Sequence, residues 1–317
     1  MKKDYKIIFF GTPDFAVTSL DAICSKFIVD CIVTSPDRKS GRGQKLNESD
    51  VKKYAQKNSI RILQPSILTD KKFITIIEDI KPDLIIVVAF RKLPKEIFTI
   101  PKYGTINLHA SLLPNYRGAA PINWSIMNNE SETGVTTFFI NEKIDQGDIL
   151  LQKRIPIRDE DNFGLLYNKL SKIGAELIVK TIDGVLNDNL KASKQQIDGE
   201  IKLAPKLNSE NTRINWNKSI IEIIGQIKGL SPKPGAWTII KNGNSKIRMK
   251  IIKAEEKINQ KLKQTTAGKL VVENNELLIS NPSGTLNCKV IQIENKREMT
   301  AKELINGFKF HQNSHVY

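Results

Sequence analysis

Short apolar runs recur through the first half of the chain, and stretches with helical spacing separate most of them. Tyr5 to Phe10, Phe27 to Val33, Ile60 to Leu63 and Asp83 to Ala89 read as strands, and Thr105 to His109 and Gly134 to Ile140 continue the series. Ile67 to Ile80 reads as a helix. Phe15, Leu20 and Ile23 mark the inner face of another, with Thr12 as its cap and Pro13 at its first position, where a missing N–H costs nothing. Phe163 to Leu186 is a long amphipathic helix that closes this series. Strands that alternate with helices imply right-handed βαβ units, and so an α/β domain with a mostly parallel sheet and helices on both faces.

The second half reads differently. Residues near Asp188 to Leu207 are polar and carry no period. The expected organisation is therefore a domain over 1–188, a linker over 189–207 and a second domain over 208–317. Ile220, Ile221, Ile223, Ile224 and Ile227 mark one helix there. Trp237 to Ile240, Ile247 to Ala254, Lys269 to Val272, Leu277 to Ser280 and Leu286 to Ile293 are short β-rich runs divided by turn residues, the pattern of a small, OB-like barrel. Thr300 and Glu303 have the spacing of a capping box for a last helix. Three scattered cysteines (24, 31 and 288) exclude a disulfide scaffold and a C-x-x-C zinc site. No apolar run approaches the length of a membrane span, so the expectation is a cytoplasmic protein without membrane contact.

Histidine is scarce: His109, His311 and His315 are the three. The last two fall at the extreme end of the chain, where disorder is common, which leaves His109 as the histidine of the folded body. It ends a strand, and in an open α/β sheet that end faces the ligand crevice. Position alone fits a core histidine equally well. Asn107 lies two residues earlier and so on the same side of the strand. Its amide suits a carbonyl oxygen that gains charge, and His109 can donate a hydrogen bond or move a proton near neutral pH. Ile144-Asp145-Gln146-Gly147-Asp148 supplies a carboxylate able to orient a histidine, although an Asp/Gly turn has the same appearance. Gly11-Thr12-Pro13 lacks the spacing of a dinucleotide loop, which weighs against a dinucleotide-dependent oxidoreductase.

Lysine and arginine exceed aspartate and glutamate by 49 to 34, a formal net charge of +15 that favours a polyanionic partner. The excess concentrates in two places. Arg38, Lys39, Arg42 and Lys45 surround Gly41 and Gly43 in a long loop from Ser35 to Ser49. Eight basic residues lie between Lys241 and Lys263, Lys246, Arg248 and Lys250 among them. On a barrel such a stripe could follow phosphates, and a solvated lysine face would look alike.

Asn107, His109 and Asp145, together with Ser111-Leu112-Leu113-Pro114 and Arg117-Gly118-Ala119-Ala120-Pro121, resemble the folate-dependent formyltransferases, and among them the methionyl-tRNA formyltransferases. Phe10 to Phe15, the Pro36 to Gly43 loop and Lys206-Leu207 with Ile214-x-Trp216 extend the likeness over nearly the whole chain. The resemblance implies a Rossmann-like catalytic domain followed by a tRNA-binding barrel. It implies formyl transfer from 10-formyltetrahydrofolate to the α-amine of methionyl initiator tRNA, with no metal and no obligate protein partner. Asn107 and His109 would hold the developing oxyanion, while Asp145 would set the charge of His109 and assist proton removal. Ser111, Leu112, Leu113 and Pro114 would line the folate site, with Phe90 and Lys92 as further contacts. Arg38, Arg42 and Lys45 would meet the acceptor stem, and Lys246, Arg248 and Lys250 the tRNA phosphates. The stretch Ala89-Phe90-Arg91-Lys92-Leu93-Pro94-Lys95 departs from the family, which usually has Tyr-Gly before Leu-Pro-Lys. A formyltransferase acting on a nucleotide sugar or purine precursor, or a non-catalytic RNA-binding protein on this scaffold, are the alternatives.

Overall fold

The computed structural model describes residues 3–40, 45–258 and 267–317. The chain forms two compact units. The first comprises Met1–Pro121, Thr133–Ile155 and Tyr167–Leu203, and the second Ile122–Glu132, Pro156–Leu166 and Ala204–Tyr317.

In chain order the elements begin with β1 (Lys3–Gly11), α1 (Asp14–Lys26), β2 (Phe27–Val33), β3 (Arg38–Ser40), β4 (Lys45–Asn47), α2 (Asp50–Lys57) and β5 (Ile62–Leu63). Next come α3 (Lys71–Ile80), β6 (Leu84–Val88), α4 (Lys95–Phe98), β7 (Thr105–His109), β8 (Arg117–Gly118) and α5 (Pro121–Met127). β9 (Glu132–Phe139), β10 (Ile149–Pro156) and α6 (Phe163–Leu186) follow. The first unit is built on one sheet of order β10-β9-β7-β6-β1-β2-β5. Its centre is parallel, and β9 runs antiparallel to β7.

Both faces of that sheet are buried, as the unbroken apolar runs require. Ile8, Phe10, Cys31, Val33, Ile85 and Val87 point one way, into a cluster with Phe73 and Ile77 of α3 and Ile97 and Phe98 of α4. Ile7, Phe9, Ile32 and Ile86 point the other way and are equally inaccessible. On that second face the Thr137 hydroxyl meets Thr181 of α6 at 2.8 Å. The expected two-sided α/β layering is thus present.

Local details differ from the sequence reading. Thr12 does not cap α1. Pro13 is the N-cap, without a side-chain bond, and the Thr12 hydroxyl pairs instead with Ser35 Oγ at 3.1 Å. Ile67 lies outside α3 and is exposed. Asp70 starts the helix at Lys71 by accepting from the backbone N–H groups of Lys72 and Phe73. The long loop from Ser35 to Ser49 contains the β3–β4 hairpin, and a Thr34–Ser49 hydroxyl bond of 2.7 Å ties its ends together.

The second unit continues through β11 (Leu203–Ala204), α7 (Ile220–Leu230), β12 (Ala236–Asn242), β13 (Ser245–Lys257), β14 (Leu270–Glu273) and β15 (Glu276–Asn281). It ends with β16 (Gly284–Ile293), β17 (Glu298–Thr300), α8 (Ala301–Gly307) and β18 (His315–Val316). Its sheet runs β14-β15-β16-β13-β12-β18, and a bridge between Lys269 and His315 brings the two edges together into a nearly closed barrel. The barrel core includes Ile240, Met249, Ile251, Leu277, Ile279, Leu286 and Ile291, with Ile223 and Ile227 of α7 packed into it. Capping boxes start α7 (Ser219, Glu222) and α8 (Thr300, Glu303). The chain terminus is not loose, contrary to expectation. His315 pairs with Lys241, because β12 would otherwise leave an open edge.

Candidate active site

Strand order in the first unit reverses between β1 and β6, and a crevice opens at such a point beyond the carboxyl ends of the strands. The β1 end carries Gly11, where an added Cβ would come within 2.8 Å of the Ala16 Cβ, so only glycine lets the turn into α1 pass this close. Two strands across, beyond β6, β7 ends on His109.

His109 is 7% exposed. Its Nε2 lies 2.8 Å from the backbone carbonyl of Tyr116. A carbonyl can only accept, so Nε2 carries the hydrogen and Nδ1 is the nitrogen left to gain or lose a proton. Nδ1 faces Asp145, whose Oδ2 is 3.9 Å away. That distance is too long for a hydrogen bond and short enough for charge interaction. The same Oδ2 accepts from Gly118 N–H at 2.8 Å. Asn107, half-buried, stands on the His109 side of β7 by strand alternation. Asn107, His109 and Asp145, which come from separate stretches of sequence, thus share one end of the sheet.

The segment from Ser111 to Gly118 is held mainly through its backbone. Thr136 Oγ1 donates to the Ser111 carbonyl at 2.6 Å and accepts from Leu113 N–H at 3.2 Å. Gln152 Nε2 donates to the Leu113 carbonyl at 2.9 Å, and Ser111 Oγ to the Asn115 carbonyl at 2.7 Å. Ser111 and Leu113 are therefore buried braces, while Leu112 and Pro114 stay partly accessible. At the end of β6, Phe90 packs edge-on against Phe10 with ring centroids 5.5 Å apart, and Lys92 is exposed. Between them, Arg91 donates to the carbonyls of Ser66 and Pro65. Burial, with the like charge of Arg38 adding to it, holds the Arg91 guanidinium below its usual range.

Residues 5–182 match the family model described as formyl transferase, and residues 206–309 match that of the formyl transferase C-terminal domain. The chain belongs to the formyl transferase family. The methionyl-tRNA formyltransferase of Flavobacterium johnsoniae is 43% identical over 313 residues, covering 98% of this chain and 99% of that protein. That of Thermodesulfovibrio yellowstonii is 45% identical over 309 residues, covering 96% and 97%. Among solved structures, an N-formyltransferase from Helicobacter canadensis, in complex with folinic acid and dTDP-3-aminofucose, superposes with a TM-score of 0.63. It is 22% identical and covers 90% of this chain and 98% of its own. HypX from Aquifex aeolicus, in complex with tetrahydrofolic acid, gives a TM-score of 0.61 at 18% identity, over 96% of this chain and 47% of its own.

In this formyl transferase the residue that sequence reading missed is Gln195. Its Nε2 donates to the carbonyls of Asp145 and Gly147, both at 2.9 Å, and its Oε1 accepts from Arg117 at 2.6 Å. Burial lowers the Arg117 pKa, and the Asp145 carboxylate opposes that shift. Gln195 thus clamps the loop that presents Asp145, which itself adopts a left-handed backbone (φ 54°). It falls in the polar stretch read as linker, and a lone glutamine there gives no signal.

The expected tRNA contacts divide. Arg38 is exposed on β3, opposite Asn47 of β4. Arg42 and the Lys45 side chain lie outside the described residues. Asp37 at the base of the hairpin pairs with Lys52 and accepts from Gln64 at 2.8 Å, so the hairpin has a firm base. In the second unit Lys246, Arg248 and Lys250 lie on one side of β13, with Met249 and Ile251 turned into the core. Among the described residues no group of three or more His, Cys, Asp or Glu could hold a metal ion, and no helix is long and apolar enough to cross a membrane.

Proposed function

We propose that this formyl transferase moves a formyl group from 10-formyltetrahydrofolate to the α-amine of methionyl initiator tRNA. The observation that carries the reading is the pairing of His109 with Asp145, beside Asn107, in a chain alike over nearly its full length to proteins named methionyl-tRNA formyltransferase. The amine nitrogen attacks the formyl carbon, a C–N bond forms, and the carbon's bond to the folate nitrogen breaks. The attacking amine loses a proton and the folate nitrogen gains one. Asn107 donates its amide hydrogens to the formyl oxygen as it becomes negative. His109 is steered by the Tyr116 carbonyl so that Nδ1 addresses the reacting groups. Asp145 stabilises the imidazolium and draws the proton from the amine. Leu112 and Pro114, with Phe90 and Lys92, border the folate, and Ser111 and Leu113 hold that border in place. Arg38, Arg42 and Lys45 take the acceptor end of the tRNA, and the β13 cations take its phosphates. The protein acts in the cytoplasm, where initiator tRNA is charged.

The test incubates the purified protein with 10-formyltetrahydrofolate and methionyl initiator tRNA, and follows formylmethionyl-tRNA. Formation of that product, abolished by His109→Ala, is the expected result. No product, or product only with a nucleotide-linked amino sugar, overturns the reading.

A further inference from the structure

The outer side of β12 and β13 gathers rings and cations. Their antiparallel register sets Trp237 opposite Lys250 and Lys241 opposite Lys246. The alternate residues Ala236, Thr238, Ile240, Met249 and Ile251 are buried, so Trp237, Lys241, Lys246 and Lys250 face outward. The Arg248 guanidinium lies 4.1 Å from the Trp237 ring centroid. Arg213 lies 5.5 Å from the same ring and 5.9 Å from that of Tyr317. Tyr317 is 39% exposed, beside Ile239 through reciprocal backbone bonds. The indole N–H of Trp237 donates to the Ser209 carbonyl and to Thr212 Oγ1, which fixes the ring by its edge. Residues 236–250 include no acidic side chain.

One cation on an exposed ring stabilises a surface slightly. Two guanidinium groups on one ring bring like charges together, and an anion between them removes that cost. Phosphate tracking alone needs lysines and no rings, whereas unpaired bases stack on aromatic and guanidinium planes. We propose that this face is a stacking platform for an unpaired stretch of the tRNA. One base lies against the Trp237, Arg248 and Tyr317 cluster, and its flanking phosphates rest on Lys246 and Lys250. The inference rests on the tRNA reading above and adds to it a place where the RNA must be single-stranded.

Binding of methionyl-tRNA to the full-length protein is measured across a salt series for five variants. Trp237→Ala and Tyr317→Ala should each weaken binding about tenfold with the salt slope unchanged, the mark of lost stacking. Trp237→Phe keeps a ring but loses the indole donor, and should retain most of the affinity. Arg248→Gln should weaken binding, and Lys246→Ala should reduce the salt slope by about one. Single-stranded RNA should displace the tRNA better than duplex RNA of equal length. The platform is overturned by ring variants that bind as the wild type does. It is equally overturned by a Trp237→Phe loss as large as that of Trp237→Ala, which would assign Trp237 to anchoring, or by duplex RNA that competes as well as single-stranded. Wild-type protein that fails to formylate methionyl-tRNA overturns the broader reading. Normal formylation with unchanged binding by the ring variants overturns the platform alone.

Discussion

Replacing Asp145 by asparagine isolates charge from shape. Asparagine tolerates the left-handed backbone at this position and keeps an oxygen to accept the Gly118 N–H. What disappears is the negative charge 3.9 Å from His109 Nδ1, in a place where the two side chains are 8% and 12% exposed. A full charge pair at that spacing is worth about 4 kcal/mol at an effective dielectric of 20, and about 1 kcal/mol in water. The partial burial puts the loss of imidazolium stabilisation between those limits. The turnover of Asp145→Asn should therefore fall roughly tenfold to a thousandfold. Single-turnover formylation at saturating methionyl-tRNA and donor measures the chemical step. Thermal denaturation checks the fold, and the midpoint should move little. Turnover within a factor of about three of wild type would refute a charge role for Asp145. A large loss of thermal stability alongside lost activity would make the carboxylate a brace for the 117–118 backbone instead.

Gln195→Ala removes two hydrogen bonds to the Asp145 loop and the acceptor of Arg117, each worth about 1 kcal/mol net. We expect a fall in kcat of roughly tenfold to a hundredfold with tRNA affinity unchanged, and unaltered kcat would remove its positioning role. Gly147→Ala would set a Cβ 1.5 Å from the Phe139 carbonyl oxygen, so calorimetry should show a loss of at least about 3 kcal/mol; a stable variant would mean that the loop path is misassigned. Burial pushes the Cys31 thiol up to about 11 and the Cys288 thiol up to about 12, whereas Cys24 is half-buried. A thiol reagent at pH 8 should label Cys24 first, and the other two only on unfolding. Fast labelling of Cys288 would contradict a closed barrel core.

The parallel core was legible because β6 and the Ile7 to Phe10 run of β1 are apolar at every position, a pattern that few helices of such length share. Thr105 to His109 was read with its observed limits, and His109 drew attention by its rarity. What escaped reading depended on distant partners. Thr12 had the right residue type and position for a cap, but its hydroxyl found Ser35. β18 is too short to leave a trace and forms because β12 has an edge to cover. Gln195 is the sharpest instance, since its role arises from carbonyls 48 and 50 residues away.

The steering of His109 rests on a main-chain oxygen. Tyr116 reaches it through a left-handed backbone (φ 61°), a conformation that a bulky side chain adopts only under constraint. Because every amino acid brings the same carbonyl, no exchange of side chain at 116 can delete that contact. Mutation can withdraw it only by releasing the bend. Variation at this site is thereby channelled to the opposite edge of the imidazole, where Asp145 and its glutamine clamp are each one codon from change.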